Sequence, residues 1–176
     1  ITHIDFKHKA YRLKMPSTYR MRRSWYAGNI VEFQSVSDDQ VLAELVRGSS
    51  FPVLQTQRDA WLTELILLRK VLGGRTGKVY LEFEIPRMGH RVDAIVLVNG
   101  IVLAIEFKIE AKEYTLGDRD QAFDYASALK YFHEGSHNLP VVPILVASHA
   151  KARTFEILPH GRVPGLFKTI CTNAEN

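Results

Sequence analysis

The chain has 176 residues, 46% apolar and 24% charged, the balance of an ordinary globular domain with room for one packed core. No apolar run approaches the roughly 20 residues that span a bilayer, no stretch has the charged, apolar and small-residue order of a secretory signal, and the single Cys171 has no partner for an internal disulfide. A cytoplasmic location with no membrane partner is the expectation.

The net charge of +4 is unevenly spread. Residues 1–23 carry seven Lys and Arg against Asp5 alone, so the remaining residues come to −2. This stretch reads as a basic arm able to bind phosphates, or as a leader, and residues 24–176 read as the folded domain. The segment Ser24 to Phe33 is aromatic-rich and is expected to pack on that domain. Ser37-Asp38-Asp39 then reads as a helix start, and Gly48 as its end. A second helix is predicted from about Gln57 to Leu72. Its apolar stripe is Trp61, Leu65, Leu68 and Leu72, and Glu64 sits on the shoulder of that stripe.

Three strands are predicted next, Val79 to Ile85, Arg91 to Val98 and Ile101 to Ile109. Asn99-Gly100 between the last two is a strong hairpin signal. A helix from about Asp118 to His133 and a buried strand from Val141 to Ala147 complete the order. The predicted fold is α/β: helix, three-strand antiparallel meander, helix, strand, with an extra N-terminal helix.

A two-residue turn at Asn99-Gly100 places Val98 opposite Ile101. The same register puts Asp93 opposite Glu106 and Arg91 opposite Lys108, all on one face. Both faces of this hairpin are otherwise apolar, so helices should cover both sides. Two opposed carboxylates in a half-buried place repel each other. A divalent cation removes that cost, and Mg²⁺ takes one or two carboxylates with water and phosphate oxygens. The same charges would also serve as cross-strand salt bridges. No Cys or His cluster points to structural zinc, because Gly135 and Ser136 break the helix that a His133–His137 pair would need.

The residues Asp93, then Glu106-Phe107-Lys108, resemble the core motif of the PD-(D/E)xK nuclease superfamily, whose core has the element order just read. Glu64 matches the acidic residue of the family's first core helix, and Gln121 with Tyr125 matches a Gln-x3-Tyr signature on the second. Val92 stands where the superfamily's name has Pro. Residues 24 to 150 are similar, more closely, to the N-terminal nuclease-like region of Schlafen-like DNA/RNA helicase proteins. Trp25-Tyr26-Ala27-Gly28, Thr56 to Trp61, Ile85 to Gly89 and Pro140 to Ala147 carry that likeness. No Gly-x4-Gly-Lys-Ser/Thr loop occurs, so a helicase motor would lie elsewhere in a longer protein or in a partner chain.

The resemblance implies a restriction-endonuclease-like fold and a metal-dependent nuclease acting on nucleic acid, with DNA expected ahead of RNA. Asp93, Glu106 and the Phe107 backbone carbonyl would hold Mg²⁺ or Mn²⁺, and Glu64 would add a further metal contact. Lys108 would position water or stabilise the pentavalent phosphorus, and Gln121 would support Lys108. Tyr125 would touch substrate, and Arg87, His90 and Arg91 would grip flanking phosphates. Gln121 also fits a capping box with Asp118. The faces of Glu82 and Glu84 are left open by the turn from Pro86 to His90. The alternatives are a catalytically silent nucleic-acid-binding module with the same fold, and an interaction domain whose carboxylates form only salt bridges.

Overall fold

A computed structural model describes residues 23–85 and 89–175. Residues 1–22 of the basic arm, and Arg87, lie outside the described residues. The described residues form a mixed α/β structure around a six-stranded sheet of order β1-β2-β3-β4-β5-β6. In chain order the elements are β1 (Ser24–Asn29), α1 (Ile30–Ser35), α2 (Asp38–Gly48), α3 (Gln55–Leu72), β2 (Gly77–Glu84), β3 (Arg91–Val98) and β4 (Ile101–Lys108). Then come α4 (Leu116–Phe132), a 3-10 turn (Glu134–Ser136), β5 (Val141–Ala147) and β6 (Ile170–Thr172). Strands β1 to β4 pair antiparallel, while β5 joins β4, and β6 joins β5, in parallel. Parallel neighbours need a crossover, and α4 supplies it between β4 and β5.

The expected core elements are present, and β1, α1 and β6 add to them. The aromatic segment at Ser24 folds as β1 and α1, because Tyr26 and Phe33 are both buried with rings 5.8 Å apart. Ser37 caps α2 in a reciprocal box with Gln40. Arg69 of α3 fixes α1 and α2 in place. Its Nε donates to Asp38 at 2.9 Å and its Nη2 to the Val36 carbonyl at 2.7 Å, which occupies a carbonyl at the end of α1.

Helices cover both faces, as the doubly apolar strands require. On one face Trp61, Leu65, Leu68 and Leu72 of α3 pack on Val79, Leu81, Ala94, Val96, Ile105 and Phe107. Each such side chain contributes about 1.5–3 kcal/mol when fully buried. On the other face Ala126 and Leu129 of α4 pack on Val92, Ile95, Val102 and Ala104.

The β3–β4 hairpin turns through Asn99 at φ +50° and Gly100 at φ +76°, the left-handed pair that a type I′ turn needs. Its register runs from Val98↔Ile101 to Ala94↔Ile105 and stops there. The expected Asp93–Glu106 and Arg91–Lys108 pairs therefore do not form as ladder partners.

Side-chain alternation also reverses at this end. Leu81 belongs to the α3-side core and Phe83 to the α4-side core, although residues two apart in a regular strand share a face. Ala94 and Val92 of β3 behave in the same way. The reversal falls at Glu82, whose φ is +50°, and at Asp93, and neither residue has a partner in the otherwise continuous β2–β3 register.

Candidate active site

The site occupies the open end of the sheet, where β3 and β4 stop pairing. A cleft of about 630 Å³ is lined there by Glu64, Asp93, Glu106, Phe107, Lys108 and Asp118, among others. Asp93 turns its carboxylate to the backbone, and the Phe107 N–H donates to its Oδ2 at 2.8 Å. A side chain thus takes the place of a ladder bond, and it brings Asp93 alongside the Glu106-Phe107-Lys108 segment.

Glu106, Lys108 and Gln121 close a triangle. Lys108 Nζ donates to Glu106 Oε1 at 3.1 Å and to Gln121 Oε1 at 3.0 Å, and Gln121 Nε2 donates to Glu106 Oε1 at 2.8 Å. The second hydrogen of Gln121 Nε2 goes to the Tyr125 hydroxyl at 2.9 Å. Every polar group of Gln121 is engaged, so this amide holds Lys108 and Glu106 in register with α4.

Gln121 is free for this role because α4 begins earlier than the sequence suggests. Thr115 is its cap, with Oγ1 accepting from the Asp118 N–H at 3.1 Å. The capping box of Asp118 with Gln121, the alternative role for Gln121, gives way to a cap of Thr115 with Asp118, and the Asp118 carboxylate lies 3.6 Å from Lys108 Nζ.

One atom stands apart. Glu106 is buried, and no N–H or hydroxyl donor meets its Oε2, although the Asp93 carboxyl is close enough to hydrogen-bond to Glu106 when one of the two acids holds a proton. An unsatisfied buried carboxylate oxygen is costly unless a proton, a water or a cation meets it. The local charges sharpen the point. Burial, then the charges of Asp93, Glu82 and Glu106, push the Glu64 carboxyl well above its usual range. Burial and the charge of Glu106 do the same to Asp93, and the Phe107 N–H offsets only part of it. Burial raises Glu106 in spite of Lys108. For Lys108, burial works against the ammonium, but Glu106, Asp118 and Asp93 outweigh it and the net shift is upward.

These carboxylates hold protons tightly when no cation is present, which is the condition that a divalent ion relieves. Among the described residues no group of three or more His, Cys, Asp or Glu side chains is arranged to hold a metal ion. The groups gathered at this end are carboxylate oxygens, of Asp93 and Glu106, and Mg²⁺ and Mn²⁺ prefer oxygen donors of this kind.

The remaining expected residues divide between the two sides of the sheet. Tyr125 lies with Gln121, and the His90 ring sits 6.0 Å from the Tyr125 ring. Arg91 goes to the other side. Its Nε donates to Glu82 Oε2 at 2.7 Å, and its guanidinium lies 4.3 Å from the Trp25 ring centroid. Strict alternation predicts Arg91 beside Lys108, and the reversal at Asp93 moves it. His133 and His137 form no pair, since His133 Nδ1 meets Ser136 Oγ at 2.8 Å and His137 Nε2 meets the Tyr131 carbonyl.

Glu82 and Asp118 join the site's charges without having been singled out as site residues. Asp118 stands three residues before Gln121 on α4, a spacing that brings it to the same side. No pattern in β2 marks the turnover at Glu82.

No protein-family model matches the chain, and no curated protein or solved structure matches it significantly.

Proposed function

We propose that this chain is a metal-dependent nuclease domain that hydrolyses phosphodiester bonds in nucleic acid, with DNA the expected substrate ahead of RNA. The observation that carries this reading is the unpartnered, buried Glu106 Oε2 beside a hydrogen-bonded Asp93 and a triangulated Lys108. The order of α3, β2, β3, β4, α4 and β5, with α2 as the extra N-terminal helix, agrees with the restriction-endonuclease-like core that the PD-(D/E)xK resemblance implies.

Asp93, Glu106 and the Phe107 carbonyl would hold Mg²⁺ or Mn²⁺, with Glu64 contributing from α3. The ion would supply Lewis-acid stabilisation of phosphate charge and acidify bound water. The chain's own residues do the positioning. Lys108, kept protonated by its acidic neighbours, places a positive charge at the cleft where the phosphorane gathers negative charge. Gln121 holds that ammonium against α4, and Tyr125 with His90 extends the polar wall toward substrate. A helicase motor in the same protein or in a partner would deliver the strand.

Cleavage of labelled single- and double-stranded DNA and RNA is to be measured with Mg²⁺, Mn²⁺ or EDTA, for wild type beside Glu106→Gln. Cutting that needs metal and disappears in the variant is the expected result. Nucleic-acid binding without cutting under any condition would replace this reading with the catalytically silent module. Cutting that persists in Glu106→Gln would place the chemistry elsewhere.

A further inference from the structure

Next to the cleft, on the α3 side of the sheet, lies a second hollow of about 260 Å³. Its walls include Trp25, Trp61, Glu82 and Arg91, and it shares Gln57 with the cleft. Trp25 and Trp61 are the chain's two tryptophans, and their rings meet edge to face at 6.0 Å. Glu82 fixes two of the walls with its two oxygens. Oε1 accepts from Trp61 Nε1 at 2.8 Å, and Oε2 accepts from Arg91 Nε at 2.7 Å. Trp25 is seated against Gly48, where a Cβ would fall 2.2 Å from Trp25 Cγ. Only glycine allows α2 to approach the indole this closely.

These contacts resemble core packing, with one difference. The Arg91 side chain remains 46% exposed while its guanidinium rests on Trp25. A preordered, aromatic-backed guanidinium therefore opens into a hollow. At this volume the hollow lies below the usual range for drug-sized ligands and suits one planar ring system. Unpaired bases are held in this way, stacked on aromatic rings and on Arg guanidinium planes. A base kept in its duplex stack has no access to such a site.

The hollow also has the right neighbour. Trp61 and Glu64 are one helical turn apart on α3, and Gln57 of the same helix lines both the hollow and the cleft. We propose that this hollow is a nucleobase subsite. It takes one unpaired base of the strand whose scissile phosphate lies in the Glu106–Lys108 cleft, so the substrate is single-stranded or is opened at that nucleotide. The inference rests on the nuclease reading and narrows it.

The test uses the full chain with Ca²⁺ in place of Mg²⁺ and short DNA and RNA strands, single and fully paired. A second set of single strands carries an abasic nucleotide at each position in turn. A single strand should quench tryptophan emission. An abasic nucleotide at one position should abolish that quenching and weaken binding about tenfold or more, the range of base stacking on an aromatic side chain. In Arg91→Ala that positional penalty should vanish while the other positions behave as in wild type.

A flat abasic scan, or fully paired duplex bound as tightly as single strand, overturns the subsite. Cleavage in Mg²⁺ that depends on Glu106 would then leave the nuclease reading standing. No binding and no cutting of any strand overturns both. The scan on wild type decides the matter even where Arg91→Ala fails to fold.

Discussion

The β3–β4 hairpin has two ends built on opposite principles. At the turn end, Val98 pairs with Ile101 across Asn99-Gly100, alternation is regular, and the side chains are apolar. At the open end the ladder stops at Ala94 with Ile105, alternation reverses at Asp93, and half-buried or buried carboxylates face one another. One pair of strands thus ends in a region that satisfies its own groups and in another that leaves Glu106 Oε2 unmet. Local consistency specifies a fold, and the departure from it concentrated at the open end is the feature on which the proposed function rests. The contrast becomes testable when each end is altered and both stability and cleavage are measured.

The largest effect is expected at the open end. Lys108→Ala removes the positive charge but leaves Gln121 bonded to Glu106 and Tyr125. The single-turnover cleavage rate should fall about 10²–10³-fold, the usual cost of losing one group that stabilises transition-state charge. Circular dichroism should remain that of the wild type. A rate within a few-fold of wild type would mean that the Lys108 charge at the open end takes no part in cleavage.

Next in size is a dependence on pH and metal. Glu64, Asp93 and Glu106 all have raised folded-state pKa values, from burial first; the charge of a neighbouring carboxylate comes second for Glu64 and Asp93, while at Glu106 Lys108 offsets part of the burial. In the ordinary carboxylate range, about 4 and below, folded and unfolded chains are both protonated and these groups add nothing. Above that range the unfolded chain gives up its protons first, so the folded state binds more of them. Stability measured in EDTA should therefore fall as pH rises from the ordinary range toward the raised values. Asp93→Asn and Glu64→Gln should each flatten that fall. At neutral pH, Mg²⁺ at about 100 times its Kd should return about 2.7 kcal/mol to the wild type, and less to Asp93→Asn. A pH-independent melting temperature in EDTA would show that burial does not raise these carboxylates in the folded chain.

How far each end could be read in advance follows from the same contrast. The turn end was legible: Asn99-Gly100 requires left-handed φ at both positions, and this sets the register that places Ala94 opposite Ile105. The α3 stripe was legible because Trp61, Leu65, Leu68 and Leu72 repeat at helical spacing. That Asp93, Glu106 and Lys108 come to one end also followed from the hairpin arithmetic.

The position of Arg91 did not follow. Strand periodicity assumes unbroken alternation, and a positive φ at Glu82, a residue type with no preference for it, turns β2 over without any mark in composition. The start of α4 was misplaced by two residues because Thr115 and Asp118 both make sound caps, and only the Asp118 N–H bonded to Thr115 Oγ1 decides between them. Strand β6 was missed because three residues carry too little pattern to separate from a loop, and it exists by pairing with β5.

The smallest effect is expected at the turn, from Gly100→Ala. Gly100 sits at φ +76° with open space where a Cβ would point, so the substitution meets no clash and its cost is conformational alone. Holding an L-residue in the left-handed region costs about 1–2 kcal/mol, and denaturant unfolding should show that loss without a change in slope. Cleavage should be unchanged. Strand β3 is also held by β2 from Gly77↔Val98 onward, and β4 by β5 through Lys108↔Ala147, so both strands keep their register when the turn is strained. A loss of cleavage larger than the loss of folded protein would mean that strain at the turn reaches Asp93 and Glu106 along the strands, and that the two ends act as one unit.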